Sequence, residues 1–290
     1  MDRIWLVGNR GMLGSAVERV LKSADTHYVA SDREVDITDY DAVQRFVEGR
    51  GFGWIINCAA YTAVDRAEDE PGAASRLNAL GPKNLARAAR SAGAGIVHVS
   101  TDYVFDGRKA QGYREDDRPS PISVYGRSKW AGEEAVRHSG AAHYIVRTAW
   151  LFGERGKNFV STMLTLFAEG KKVRVVEDQW GSPTYAGDLA EALVRITRLD
   201  PPPDEGVYHF TNDGAVSWYG FACEIFSQAR RLGLCGNESE IEPVPSSAYL
   251  TRARRPVYSF LHTDKIRDRV MPEIRSYQSA LNSYLETFRA

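Results

Sequence analysis

A glycine-rich loop at residues 8–14 constrains the fold of this chain more than any other feature. It follows the short apolar run Ile4–Val7 and opens an amphipathic stretch. Glycines at such positions let the backbone turn tightly, approach a pyrophosphate and pack a helix closely on a strand. The first N–H groups of the helix then face the phosphates. The loop also fits a simple turn, but its placement favours a dinucleotide-binding turn formed by Gly8, Gly11, Met12, Leu13 and Gly14.

Short apolar runs alternate with amphipathic stretches through the first half of the chain. The predicted strands are Ile4–Val7, His27–Asp32, Trp54–Ala60, Gly95–Thr101 and His143–Thr148, and helical patterns begin near Met12, Asp39, Pro71 and Ser123. Strands that alternate with helices are typical of βαβ units around a parallel sheet. We therefore expect an α/β fold with a Rossmann-type doubly wound parallel sheet.

The alternation loosens beyond Trp150, which predicts a second, smaller part of the molecule. Helices are predicted at 159–168 and 187–199, and strands at 173–176 and 207–211. We expect residues 1–148 to form an NAD(P)-binding Rossmann domain, with segments near 170–195 returning to it. Residues 149–290 would then form mainly a C-terminal substrate-binding lobe.

Composition excludes several classes of partner. The chain carries 37 Lys and Arg against 38 Asp and Glu, a net charge of -1, so it has no general attraction for nucleic acid or an anionic membrane. No apolar run approaches the ~18 residues of a membrane span, and no signal-peptide core is found. Three cysteines and scattered histidines lack metal-ligand spacing, which favours reduced thiols and no metal site. We expect a cytoplasmic protein.

Acidic and basic residues follow the second predicted strand. Asp32 lies eighteen residues past Gly14, where a carboxylate accepts hydrogen bonds from the adenosine ribose, although a solvated turn residue is the alternative. Arg33 follows directly and could pair with a 2′-phosphate. Asp36 and Ile37 begin the next turn and are candidates for contact with the adenine. The sequence therefore permits either NADH or NADPH.

Tyr125 and Lys129 lie four residues apart, so a helix would place them on one face. A phenol with a pKa near ~10 is a weak proton donor at neutral pH, and an adjacent ammonium ion lowers that pKa. The same ammonium ion can hold the nicotinamide ribose. Thr101 ends the predicted strand 95–101 and could bond a substrate carbonyl or the tyrosine. Taken alone, Tyr125 and Lys129 fit a surface helix pair better, but the run 100–107 at the carboxyl end of a strand favours a catalytic set over that pair and over a Thr101 that only packs its methyl.

Several motifs together resemble one enzyme family. They are the glycine loop, Asn57–Asp65, the run Ser-Thr-Asp-Tyr-Val-Phe-Asp-Gly at 100–107, the Tyr125–Lys129 segment, Arg147–Gly153, Asn158–Phe159, Asp178–Thr184 and Ser217–Ala222. This set resembles the extended short-chain dehydrogenase/reductases and, within them, the dTDP-4-dehydrorhamnose reductases. The likeness covers nearly the whole chain.

The resemblance implies a reaction and its catalytic residues. Members reduce the C4 ketone of a dTDP-linked 4-keto-6-deoxysugar, dTDP-4-dehydro-L-rhamnose, to dTDP-L-rhamnose with NADPH or NADH, the last step in making that activated sugar. By this analogy Tyr125 protonates the C4 oxygen and Lys129 tunes the tyrosine. Thr101 and Asp102 contact the sugar, and Trp150 forms an aromatic wall against it.

The resemblance also implies further contacts. Asn158 is expected to contact the substrate, and Ala60, Tyr61 and Thr62 are expected to line the cofactor. Ala16 stands where some relatives have a carboxylate that helps a magnesium ion bridge a dimer. We therefore expect no metal-bridged dimer, and a monomer or weak homodimer.

Three alternatives remain open from the sequence. The first is a ketoreductase for another dTDP-deoxysugar, because only the substrate pocket would differ. The second is a non-catalytic regulatory subunit resembling the methionine adenosyltransferase beta subunit. The third concerns Arg254 and Arg255, which could meet the substrate diphosphate or belong to a solvated basic loop.

Overall fold

The computed structural model describes residues 3–200 and 202–289, and its first half alternates strands with helices. The elements are β1 (Arg3–Val7), α1 (Met12–Ser23), β2 (Tyr28–Ser31), α2 (Tyr40–Val47), β3 (Phe52–Asn57), α3 (Val64–Ala67), α4 (Pro71–Ser75), a π-helical turn (Arg76–Leu80), α5 (Gly81–Ser91), β4 (Gly95–Thr101), a 3-10 turn (Asp102–Val104), α6 (Val124–Arg137) and β5 (His143–Thr148). All five predicted strands form, with ends within three residues of those expected.

The second half is built from shorter strands and longer connections. Its elements are β6 (Leu151–Phe152), α7 (Phe159–Ala168), β7 (Val173–Val176), β8 (Trp180–Gly181), β9 (Thr184–Tyr185), α8 (Ala186–Ile196), β10 (Gly206–His209), β11 (Val216–Ser217), α9 (Trp218–Arg231), β12 (Ile241–Val244), a 3-10 turn (Ser246–Ala248), α10 (Asp264–Arg269) and α11 (Tyr277–Glu286). Across residues 3–200 and 202–289, none of the helices is both long and hydrophobic enough to span a bilayer.

A six-stranded parallel sheet forms the centre of the molecule, in the order β10-β5-β4-β3-β1-β2. The chain adds β2 on one side of β1 and then returns to add β3 on the other side. This reversal makes a doubly wound sheet, which places ligands at the carboxyl ends of the strands. The expected Rossmann-type fold class is confirmed.

Helices cover both faces of this sheet. On one face, α1 and α8 bury a core that includes Val17, Leu21 and Leu189. On the other face, α2 and α5 bury residues such as Val43 and Leu85. Because both faces are covered, the inner strands are continuous apolar runs rather than alternating ones.

A separate core holds the smaller C-terminal part together. Helices α7, α9 and α11 pack around Phe152, Phe221 and Tyr284. The range 149–290 is not confined to this core, because β10 pairs with β5 as the edge strand of the central sheet. Of the segment near 170–195, α8 packs on α1, whereas β7 pairs with β12 outside the central sheet. The boundary after residue 148 stays a prediction.

The glycine loop brings α1 directly onto the end of β1. Gly8 has φ +80°, and the Gly11 N–H donates to the Gly8 carbonyl at 3.1 Å. A Cβ at Gly14 would lie 2.0 Å from that same carbonyl oxygen. The first turn of α1 can therefore approach the loop this closely only with glycine at position 14.

Gly14→Ala tests this packing. The added methyl would overlap the Gly8 backbone, so we expect the free energy of unfolding to fall by about 1–3 kcal/mol, measured by denaturant unfolding. Gly72→Ala is the control, because a Cβ there meets nothing within 4 Å. Equal stabilities of the two variants would contradict the close approach of α1 to the loop.

Candidate active site

The carboxyl end of β4 and the start of α6 meet at one edge of the sheet. Ser123 caps α6 by accepting a hydrogen bond from the Gly126 N–H at 3.1 Å. A Cβ at Gly126 would lie 2.1 Å from the Tyr103 carbonyl oxygen, so α6 begins in direct contact with the 3-10 turn that follows β4. This contact brings the Tyr125 side chain within reach of Thr101.

The phenol of Tyr125 lies in a nearly water-free setting, since only 8% of the residue is exposed. Burial raises its pKa well above the usual range, a polar contact with Thr101 opposes the rise, and Asp102 and Tyr103 add to it. The edge of the Tyr103 ring packs against the Tyr125 ring at a centroid distance of 5.5 Å. The phenol is therefore protonated at neutral pH, as a proton donor must be before it acts.

Lys129 lies on α6 one turn after Tyr125. Its Nζ donates to the Val99 carbonyl of β4 at 2.7 Å. Burial is the largest cause of the raised pKa of Tyr125, and the lowering of that pKa by Lys129 stays a prediction. The pKa of Lys129 itself is lowered to about 8 by burial, while Glu133 and Cys58 oppose that shift.

Asp102 has a buried oxygen without a partner. Its Oδ1 accepts a hydrogen bond from Thr101 Oγ1 at 2.8 Å, and its Oδ2 has no hydrogen-bond partner among the described residues. Burial raises the pKa of Asp102 to about 6, against polar contacts with Ser259 and Thr101. A buried acceptor left open in this way is suited to a donor from a ligand, such as a sugar hydroxyl.

Trp150 is held in a strained backbone conformation. Its φ is +48°, in the left-handed region that costs a non-glycine residue about 1–3 kcal/mol and that persists mainly at functional sites. Its indole stacks on Trp218 with ring centroids 3.5 Å apart and an angle of 7°. The side chain is half-buried, so it is neither a plain core residue nor a free surface one.

The side-chain amide of Asn158 is bonded within the protein. Its Oδ1 accepts from the Ser161 N–H at 2.9 Å, which caps α7. Its Nδ2 donates to the Gly153 carbonyl at 2.9 Å and faces the Tyr284 hydroxyl at 3.5 Å. These bonds give Asn158 a capping role and weaken the case for a substrate contact, which stays a prediction.

The phosphate end of the predicted cofactor site is open to a ligand. Gly11 caps α1 without any side-chain hydrogen bond, so the N–H groups of the first turn, from Met12 to Gly14, receive no capping side chain. Asn9 Nδ2 donates to Glu18 at 3.2 Å, while its buried Oδ1 has no partner among the described residues. Such a helix start is an anion-binding site.

At the predicted adenosine end, the candidate residues differ in how accessible they are to a ligand. Asp32 directly follows β2 and is partly exposed, and Arg33 is exposed beside it. Asp36 Oδ1 accepts from the Thr38 N–H and hydroxyl at 2.9 and 2.8 Å. Ile37 is 4% exposed and packs in the core, which weakens the case for the predicted apolar contact with adenine.

Glu34 is a neighbour of this end that sequence reasoning missed. Its Oε1 accepts from the Asp32 N–H at 2.9 Å, and its Oε2 lies 3.7 Å from Arg10 of the glycine loop. The pair connects the loop to the end of β2. Because Arg10 and Glu34 lie 24 residues apart in the chain, no local sequence pattern indicated that they would be neighbours.

Asn78 is a second residue that the sequence did not reveal. Its Oδ1 accepts from the Tyr61 N–H at 2.8 Å, and its Nδ2 donates to the Tyr61 carbonyl at 3.0 Å and to Ser128 Oγ at 2.9 Å. It therefore joins the predicted cofactor segment 60–62 to α6, next to Lys129. Asn78 lies in the π-helical turn, a local geometry frequent at functional sites and invisible to a 3.6-residue periodicity.

The two C-terminal arginines behave differently from each other. Arg255 pairs with Asp65 at 2.6 Å and donates to the Tyr103 hydroxyl at 3.1 Å, whereas Arg254 is exposed. Arg255 thus connects α3 to the tyrosine that packs on Tyr125. Its charge already has a partner, which weakens the case for a diphosphate contact.

Within the described ranges, no three His, Cys, Asp or Glu side chains come together in a way that would hold a metal ion. Ala16 of α1, the position considered above for a metal-bridged dimer, is buried in the core.

Comparison with known proteins gives one consistent family. Residues 2–290 match the family model described as the RmlD substrate binding domain. A dTDP-4-dehydrorhamnose reductase of Aggregatibacter actinomycetemcomitans is 39% identical over 288 residues, which cover 98% of each chain. A probable dTDP-4,6-dihydroxy-2-methyloxan-3-one 4-ketoreductase of Streptomyces antibioticus is 40% identical over 96% of this chain and 92% of its own length.

A solved structure shares the whole architecture. It is a dTDP-4-dehydrorhamnose reductase of Bacillus anthracis in complex with NADP, with a TM-score of 0.92 and 36% sequence identity, and 99% of each chain is covered. The fold of the present chain is therefore that of a protein crystallised with a nicotinamide dinucleotide.

Asn158→Ala separates capping from substrate contact. Loss of the cap should lower the free energy of unfolding by about 1 kcal/mol, while KM for the sugar stays near the wild-type value. Ser276→Ala is a matched control, because Ser276 caps α11 in the same way at 3.2 Å. A large rise in KM with unchanged stability would return Asn158 to the substrate site.

Proposed function

The chain belongs to the RmlD substrate binding domain family, and from that membership we propose that it reduces the C4 ketone of dTDP-4-dehydro-L-rhamnose to dTDP-L-rhamnose. It is a nicotinamide-dependent oxidoreductase, and NADPH or NADH is its cofactor. The observation that carries the proposal is the meeting of a buried tyrosine, a buried lysine and a buried carboxylate with one unpartnered oxygen where β4 ends and α6 begins.

Tyr125 is the proton donor in this proposal. Its raised pKa keeps the phenol protonated until negative charge develops on the C4 oxygen, which then takes the proton. Thr101 bonds the reacting oxygen or the tyrosine. Lys129, positively charged below its pKa of about 8, stabilises the phenolate that forms and binds the nicotinamide ribose.

The residues of the glycine loop fit a dinucleotide. The N–H groups in the uncapped first turn of α1 would donate hydrogen bonds to a pyrophosphate. When bound, the reduced cofactor supplies the hydride that the C4 carbon accepts. The proposed cofactor contacts are Gly8, Gly11, Met12, Leu13, Gly14, Asp32, Arg33, Asp36, Ala60, Tyr61 and Thr62, with Tyr125 and Lys129.

The sugar is proposed to lie between the two parts of the molecule. Asp102 accepts a sugar hydroxyl through its open Oδ2, and Trp150, fixed by Trp218, forms a wall. Residues 1–148 would supply most of the dinucleotide site, and residues 149–290 most of the sugar site. Three free cysteines agree with work in the reducing cytoplasm, as a monomer or weak homodimer without nucleic acid.

A second candidate is the reduction of another dTDP-deoxysugar. The Streptomyces antibioticus relative, which is as similar as the named rhamnose reductases, favours keeping this possibility. Both reactions use the same proton donor and hydride chemistry, so they differ only in the sugar pocket. The non-catalytic alternative is disfavoured, because Thr101, Tyr125 and Lys129 are all present and buried at one edge.

The assay that tests the proposal mixes the pure protein with dTDP-4-dehydro-L-rhamnose and NADPH or NADH, and follows the absorbance of the reduced cofactor. We expect oxidation of the cofactor and a product that chromatographs as dTDP-L-rhamnose. Oxidation only with a different dTDP-4-keto sugar would move the assignment to the second candidate. No oxidation with any of these sugars would reject the enzymatic function.

Tyr125→Phe tests the proton donor. We expect kcat to fall by about 10²- to 10⁴-fold, because general acid catalysis contributes that much, while the Kd for NADPH changes little. Tyr40→Phe is the control, since it removes a phenol hydroxyl that bonds only Gln44 within α2. Unchanged kcat in Tyr125→Phe would remove this residue from the mechanism.

A further inference from the structure

A buried ion pair joins the catalytic helix to the central sheet. Glu133 of α6 accepts two hydrogen bonds from Arg147 of β5, from Nε at 2.9 Å and from an Nη at 2.7 Å. The exposed fractions of the two side chains are 0% and 1%. Among the described ion pairs this is the one with both partners fully buried.

The pair lies beside the reacting groups. Glu133 follows Lys129 by four residues, so the two side chains share one face of α6 about a turn apart. Arg147 is paired in register with Ser100 of β4, one residue before Thr101. The ion pair therefore connects the helix that carries Lys129 to the two strands that form the floor of the site.

A charged pair is a costly way to achieve such packing. Taking both charges out of water is expensive, and well-packed apolar side chains of similar size often stabilise a fold equally well or better. The Arg147 guanidinium makes two further contacts. It lies over the Phe105 ring at 5.0 Å, and one of its nitrogens is 3.5 Å from His209 Nε2. The charges are thus expected to serve a purpose besides stability.

The charges around Lys129 indicate that purpose. Cys58, which follows β3, is a neutral thiol because burial raises its pKa to about 12. His98 of β4 is neutral because burial and Lys129 lower its pKa well below the usual range. Tyr125 on α6 is also neutral. Glu133 is the carboxylate that acts on Lys129, and its charge opposes the loss of the lysine proton.

We propose that Glu133 and Arg147 form a positioning pair, which fixes α6 against β4 and β5 and supplies the negative charge that keeps Lys129 an ammonium ion. Arg147 holds the carboxylate in place and prevents it from taking the lysine into a direct ion pair. The Lys129 ammonium ion, which gives one hydrogen bond to the Val99 carbonyl, keeps two further N–H donors for the dinucleotide. The inference rests on the proposed function in this one respect, that Lys129 contacts the cofactor.

The pH dependence of NADPH binding tests the proposal without any sugar. Lys129 is cationic below its pKa of about 8 and neutral above it, so wild-type affinity should fall as the pH rises through that value. Glu133→Gln removes the charge and keeps the shape. The NADPH affinity of this variant should fall at a pH about one unit lower than that of the wild type. Near pH 6 the two proteins should bind NADPH equally well. The measurement is NADPH fluorescence from about pH 6 to about pH 9.5.

Three further variants separate charge from packing. Glu133→Asp keeps the charge, so it should retain the wild-type pH midpoint even if its Tm falls. The double variant Glu133→Gln with Arg147→Met removes both charges and should recover Tm while keeping the shifted midpoint. Glu134→Gln is the control on the same helix, because Glu134 forms an exposed pair with Arg137 at 3.6 Å, and it should behave as the wild type.

The outcomes distinguish the two proposals. A wild-type protein that does not bind NADPH at any pH would defeat the proposed function. If the wild type binds NADPH and the Glu133→Gln and double variants show the same pH midpoint, the positioning role is overturned. The ion pair would then be purely structural. If Glu133→Gln does not fold, the midpoint of the double variant decides. If neither Glu133→Gln nor the double variant folds, Glu133→Asp decides the question. Its pH midpoint for NADPH binding must match that of the wild type, because the charge is kept. A midpoint about one unit lower would refute the proposal.

Discussion

The close approach of α6 to the end of β4 determines where the reactive groups lie. Glycine at position 126 lets the helix begin against the Tyr103 carbonyl, which brings Tyr125 to Thr101. One turn later Lys129 reaches the backbone of β4, and another turn later Glu133 reaches Arg147 of β5. Three successive turns of one helix are thereby fixed to two neighbouring strands.

Burial is the common cause of the unusual acidities at this edge. It raises the pKa values of Tyr125 and Asp102 and lowers that of Lys129, and in each case it is the largest cause. An environment of this kind favours neutral groups until a substrate brings charge. The site is therefore arranged for proton transfer, provided that one carboxylate maintains the lysine as a cation.

The sequence predicted the features that local patterns encode. The doubly wound sheet follows from the alternation of apolar runs with amphipathic stretches, the start of α1 from the glycine loop, and the placement of Tyr125 and Lys129 on one helix face from their four-residue spacing. Contacts between distant segments carry no such signal. The cap formed by Asn158, the bridge made by Asn78 and the strand β10 in the central sheet depend on tertiary packing, so sequence periodicity could not reveal them.

The late arrival of β10 affects how the chain reaches its native state. Because Gly206–His209 complete the sheet at β5, a nascent chain that has emerged only through Thr148 leaves the main-chain N–H and C=O groups of β5 open along one side. Exposed strands of this kind readily pair with other chains. The part of the chain that ends at Thr148 is thus most vulnerable to misassociation on the ribosome until the segment after α8 has been synthesised.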